Sequence, residues 1–300
     1  MVNFFQELAR KLAERWVGLI VLPGALFAAT AWAGWYLGWD HAWDLPGLVE
    51  HAMAAGSAIA RRPVATQVLL VVAAGLGIGA TGVVVQALAG LTRAVWLGDW
   101  PAVLRGPVVV QRQRRWDARL RRRHDLQRQH PPTERTAAQR HAIDQAAARV
   151  VRLSPARPGR PTWMGDRLHA VEQVAHDRYG LDLTYGWPRL WLVLPEPART
   201  EITAAHTAFV SAVAVASWAW PYLVLTAVWW PAILIAAAVG TAGWIRGRRA
   251  AQDMSTSAES AIDLHGRDLA VALGVATSDT TGPLTSTEGA AITAIVRKGR

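Results

Sequence analysis

Apolar positions along this chain gather into three long uncharged runs, and the charged positions fall in the stretches between them. Residues 16–39 hold 24 consecutive uncharged residues, roughly 36 Å as a helix against about 30 Å of bilayer hydrocarbon, which predicts a first span over 17–39. Residues 63–92 hold 30 more, long enough to cross with tilt and run on into the interface, so a second span is predicted over 63–95. Residues 207–245 carry no charge at all. These 39 residues reach about 58 Å as helix, just enough for two crossings joined by a tight turn near Trp229, Trp230 and Pro231. The competing reading is one crossing plus a re-entrant piece, with the helix broken at Pro221.

Helical periodicity continues outside the runs. Residues 1–16 place Phe5, Leu8, Leu12 and Trp16 on one stripe behind a capping box of Asn3 and Gln6, the pattern of an amphipathic helix lying along the membrane surface. Within residues 96–206, one helix is expected from Val108 to His130, stopped by Pro131 and Pro132. A second runs from Thr133 to about Leu153, and the two would form a hairpin standing off the membrane. A third helix has its start at Thr162 and its stop at Gly180, with Leu168, Val171 and Ala175 facing inward. The short apolar stretch Trp187–Pro195 has to bury Trp187, Leu190, Trp191 and Leu194, either on that helix or on the membrane surface. Past Arg249, residues 246–300 offer a helix over Ser255–Leu273 closed by Gly274, and a last short helix capped by Thr285 and Glu288. No strand and no repeat of fixed period is expected, so the class is all-α: four transmembrane helices in two hairpins with a helical domain between the second and third spans.

Charge orients this arrangement. The chain carries a net +10 although 52% of it is apolar, a conflict for a soluble protein that disappears once the two kinds of residue are segregated. Arg10, Lys11 and Arg15, the arginines after Trp100, and Arg246, Arg248 and Arg249 should all lie on the cytoplasmic side, which only an even number of crossings allows. Residues 40–62 are then the one substantial outside loop, and both termini are cytoplasmic. Trp35, Trp39, Trp43, Trp96, Trp100, Trp229, Trp230 and Trp244 fall near the span ends, where indoles settle at headgroup level. Arginine outnumbers lysine 30 to 2, a bias of high-GC bacterial coding sequence that points to a bacterial plasma membrane. The N-terminal segment lacks the charge pattern and cleavage site of a signal peptide. Without cysteine there is neither a disulfide framework nor thiolate chemistry.

The candidate chemistry is sparse. The uncharged runs contain no aspartate, glutamate, lysine or arginine, which argues against proton relays and ion-coupled carriers. Gly75, Gly79, Gly82 and Gln86 share one helical face, read as close packing between spans of the same chain, with a dimerisation seam as the alternative. His169, Glu172 and His176 lie along one side of a helix and are the only metal or proton-transfer candidates; a solvated surface row is the plainer reading. The arginine cluster of Arg112, Arg114, Arg115, Arg119, Arg121, Arg122 and Arg123 fits contact with anionic lipid or a protein partner, with a solvated face that merely orients the chain as the plainer reading. Nucleic acid is not expected, since interleaved aromatics and groove-reading motifs are missing. No cofactor or catalytic motif is present.

Three blocks, Leu12–Phe27, Pro161–Ile202 and Ala261–Gly274, resemble a family of actinobacterial four-span membrane proteins for which no activity is established. The middle block is the specific one, although Thr162-Trp163-Met164-Gly165-Asp166 stands where that family's pattern reads Thr-Arg-Leu-Gly-Asn. The resemblance implies topology and no chemistry, and it singles out Glu172, Tyr179, Gly180, Trp187, Pro188, Arg189 and Leu190. The expectation is therefore a membrane-anchored scaffold or interaction protein with a basic cytoplasmic module, meeting the bilayer and a protein partner or a second copy of itself. An oligomeric pore or membrane-perturbing effector is the first alternative, and a membrane enzyme using the His169, Glu172 and His176 face the second.

Overall fold

The structure, a computed structural model, describes residues 21–132, 135–279 and 281–297, and no strand occurs among them. The amphipathic stripe of residues 1–16 and the helix start at Thr133 lie outside the described residues. The chain divides into two units, residues 1–93 with 210–247 and residues 94–209 with 248–300.

The first unit begins with α1 (Leu22–Leu37), which has Pro23 in its first turn and is closed by Gly38, at φ 60°. Its successor α2 (Leu45–Ala60) corrects the expectation of a loop over residues 40–62. Asp44 caps this helix by accepting the Gly47 N–H at 3.1 Å, and Pro46 sits in the first turn, where its missing N–H costs nothing. Then α3 (Val64–Leu97) runs for 34 residues, about 51 Å. The apolar run after His206 is carried by α8 (Glu196–Ser217), α9 (Ala219–Leu225) and α10 (Ala232–Ala272). Between α9 and α10 the chain turns through Trp229, Trp230 and Pro231, as the sequence suggested. The helix breaks at Trp218, ahead of Pro221, because the proline cannot donate to the Ser217 carbonyl one turn back.

Within this unit Gly24 admits Ile78 of α3, which an added Cβ would meet at 3.0 Å, and Gly34 admits Trp229, at 2.9 Å. Phe27 meets Tyr222 edge to face at 5.2 Å beside the buried Leu225, Ala232 and Ala236. Thr92 and Ser217 share a buried hydrogen bond of 2.9 Å, and the Trp220 indole donates to Thr92 at 3.0 Å. Among the described residues, a Cβ on Gly75 or Gly79 would meet nothing within 4 Å, and Gln86 is exposed; Gly82 alone of the four is buried. The seam of α3 runs through Ile78, roughly 70° round the helix from that row.

Two helical stretches, residues 64–129 and 196–225, are long and apolar enough to cross a membrane, and only 11% of the most apolar window of the first is buried. Length and apolarity do not single out four such helices among the described residues. The described part of α1 has 16 residues, and α10 offers 14 uncharged ones ahead of Arg246, about 21 Å.

The second unit holds α4 (Ala102–Gln129), α5 (Ala137–Leu153), α6 (Trp163–Tyr179), α7 (Leu183–Val193) and α11 (Ser286–Arg297), with the end of α3, the first part of α8 and the later part of α10. The expected hairpin is present as α4 and α5, though α4 starts at Ala102 and carries Pro107 inside it. The cap of α5 is Thr136, in a capping box with Gln139. Thr162 and Gly180 bound α6 where the sequence placed them, Gly180 at φ 64°. Thr285 and Glu288 likewise cap α11. No new helix starts at Ser255, however: α10 is continuous for 41 residues, because the alanine-rich stretch after Arg249 contains neither proline nor glycine before Gly266. The core gathers Val171, Ala175 and Tyr179 of α6, Leu190 of α7, Ile262 and Leu269 of α10, and Ile292 of α11. Trp96, expected at a membrane interface, is instead buried in this unit and meets Phe209 edge to face at 6.2 Å.

Candidate functional site

Two features of the second unit have the chemistry of recognition. One is a groove of about 590 Å³, within the range of small-molecule sites. Capping and apolar spacing place its walls. Asp182 caps α7 by accepting the Thr184 N–H at 3.0 Å, and Leu190 and Leu194 then anchor α7 in the core. Trp187 and Trp191, a turn apart on α7, are left only half-buried, their ring centroids 6.4 Å apart and inclined at 42°. Leu168 and Glu172 of α6, Ile202 and His206 of α8, and Met254 of α10 complete the lining. Of these, Leu168 was expected in the core and the two indoles were expected to be buried.

The groove carries little charge. Glu172 is the single carboxylate in its lining, and no arginine or lysine is there. His169, beside the groove, places Nδ1 3.1 Å from Glu172 Oε2. Behind the wall the Arg167 Nε donates to Ser255 Oγ at 2.7 Å. Arg167 also lowers the carboxyl of Glu259, which burial pushes up more strongly. His176 is exposed, so the row of His169, Glu172 and His176 yields one pair; no group of three or more His, Asp or Glu able to hold a metal occurs among the described residues.

The other feature is the arginine face of α4. The structure separates the seven arginines that the sequence grouped together. Arg112 turns inward to Asp166, which is 2% exposed, with Nη2 and Nε 2.6 and 3.1 Å from Oδ2. The other carboxylate oxygen of Asp166 accepts the backbone N–H groups of Gly159 and Arg160 at 2.8 and 2.6 Å. Arg119 donates to the Arg149 carbonyl across the hairpin at 2.9 Å, and Arg123 is half-buried. Arg114, Arg115, Arg121 and Arg122 remain exposed, with no carboxylate within ion-pair distance among the described residues.

The residues singled out by resemblance mostly hold this unit together. Thr162 donates to the Trp96 carbonyl at 2.6 Å, and Gly165 lies against the Leu97 carbonyl, where no Cβ would fit. The Tyr179 hydroxyl donates to Asp263 at 2.5 Å; burial first, and then that bond, push its ionisation up. Gly180 and Gly289 let α6 and α11 touch backbone to backbone. Arg189 donates to the Tyr185 carbonyl at 2.8 Å, while Trp187 and Pro188 line the groove. Sequence reasoning missed Asp166 as an organiser, and it missed Ile202, His206 and Met254 as groove residues. Only a buried partner for one arginine in seven could have exposed the first, and nothing local could have joined the others. No family model, curated protein or solved structure matches this chain.

Proposed function

We propose that this chain is a four-span bacterial membrane protein that works by binding, holding its helical unit at the cytoplasmic surface so that the arginine face of α4 engages an acidic surface there. The observation that carries the reading is the division of labour among the arginines: Arg112 fixes α4 to α6, while Arg114, Arg115, Arg121 and Arg122 stay exposed without carboxylate partners among the described residues. Such a helix is preorganised. Its rotation about its axis is set by Arg112, Gln113 and Trp116, whose side chains bond to Asp166 and to the carbonyls of Pro158 and Ser154. The membrane part of the reading is supported by Leu69, Val71, Leu76, Val83 and Val224, which turn outward on helices that no water-facing protein would leave so apolar.

The anionic inner leaflet is the acidic surface favoured here. Basic residues on the cytoplasmic side of a span gain about 1 kcal/mol each where they come near anionic headgroups. The test uses the full chain in nanodiscs, with Ala118→Cys carrying an environment-sensitive dye on the exposed side of α4. A blue shift in discs containing anionic lipid, absent in zwitterionic discs and reversed by high salt, supports lipid engagement. The same spectrum in both discs removes it and leaves an acidic protein partner as the alternative.

A further inference from the structure

We propose that the groove between α6, α7, α8 and α10 is a binding site for a small lipophilic ammonium ion, a use independent of the arginine face. Size and wall chemistry define the class. A 590 Å³ groove walled by Leu168, Ile202, Met254 and two indoles takes an apolar body. Charge then selects the sign. In a chain of net charge +10, this groove has a carboxylate, Glu172, as its one acidic lining residue and no arginine or lysine among the others.

The neighbouring charges do not undo that selection. Arg167 is not in the lining; its Nε donates to Ser255 Oγ, and it acts electrostatically on the carboxyl of Glu259. His169 touches Glu172 through Nδ1 and adds positive charge only when protonated. Trp187 and Trp191 strengthen the preference. A cation seated beside their inclined rings can lie within about 6 Å of both centroids, the range over which an indole face attracts positive charge. A zwitterionic phospholipid would bring the same ammonium, but its phosphate would come with it against Glu172. A free alkyl- or arylammonium avoids that repulsion, and it is the ligand proposed.

The experiment is a calorimetric titration of the full chain in nanodiscs with benzyltriethylammonium, beside phenylacetate and benzyl alcohol as anionic and neutral probes of similar size. Empty discs give the partition background. Saturable binding of the ammonium, at least ten-fold tighter than either control, is the expected result. Glu172→Gln should weaken it about ten-fold, and its fold is safe because that side chain is 58% exposed. Trp187→Phe should weaken it less, since a smaller aromatic face remains. Equal binding of all three probes, no saturable binding, or full retention by Glu172→Gln overturns the proposal. Phosphocholine-containing lipid should not compete; if it does and the free ammonium does not bind, the site belongs to a headgroup and the free-cation assignment is wrong.

Discussion

Arg112 of α4 grips the buried carboxylate of Asp166 of α6 through two hydrogen bonds, Nη2 at 2.6 Å and Nε at 3.1 Å from one oxygen. The other oxygen ties down the loop at Gly159 and Arg160. One side chain thus joins the arginine hairpin, the loop after it and the start of α6. Breaking a buried pair strands the surviving charge, at a cost of about 3–5 kcal/mol. Asp166→Ala and Arg112→Ala should lower the thermal stability of the full chain accordingly, followed by circular dichroism in nanodiscs. Arg114→Ala and Arg121→Ala should stay within about 0.5 kcal/mol, as exposed substitutions do. Equal effects of the inward and outward arginines would refute the division described.

Backbone contacts at glycine give a second contrast. Gly165 lies on the Leu97 carbonyl and Gly289 on the Tyr179 carbonyl, so Gly165→Ala and Gly289→Ala should each destabilise the second unit by more than about 1–3 kcal/mol, the usual cost of overpacking. Gly75→Ala and Gly77→Ala should be tolerated or mildly stabilising, since among the described residues nothing lies within 4 Å of the added methyl and alanine favours a helix by about 1 kcal/mol. Melting temperatures of the four variants decide the matter. A marked loss in Gly75→Ala would mean that the glycine row has a partner beyond the described residues.

Acid should loosen α11. The Arg297 hydrogen bond holds the Asp182 carboxyl below its ordinary value, helped by the Thr184 backbone and opposed by burial. A carboxyl lowered in the fold adds stability that is present above its unfolded value, about 3.9, and is lost as pH falls through the lower folded value. Asp182 also caps α7, so Asp182→Ala should cost about 0.5–2 kcal/mol near neutrality and flatten the acid limb of the stability profile. Arg297→Gln should shift that limb to higher pH. Identical acid limbs in all three proteins would rule out this linkage.

What was legible in the sequence follows the range of the interactions. Caps and periodicity are local, so Thr162 and Gly180 bound α6 as read, Thr285 caps α11, and the turn at Trp229–Pro231 lies in place. Errors came where a local signal was outweighed or passed over. Asp44 and Pro46 had marked the start of α2, but an expected loop hid them. The glycine spacing defines a helix face, but spacing carries no information about which helix arrives; among the described residues α1 meets α3 at Ile78, beside that face. The groove was illegible for the same reason: Glu172, Trp187, His206 and Met254 come from four helices, and only the packed unit brings them together.

In the proposed topology the apolar runs cross a membrane four times with the arginine-bearing unit inside. Single cysteines at Ser57, Gln139, Ala227 and Ser286 of this cysteine-free chain test it directly, through labelling of intact cells with an impermeant maleimide. Ser57 lies on α2 and Ala227 in the turn after α9, both expected outside; Gln139 on α5 and Ser286 on α11 are expected inside. Four crossings should give labelling at Ser57 and Ala227, with Gln139 and Ser286 labelled only after permeabilisation. Labelling of Gln139 or Ser286 in intact cells, or protection of Ala227, would contradict it.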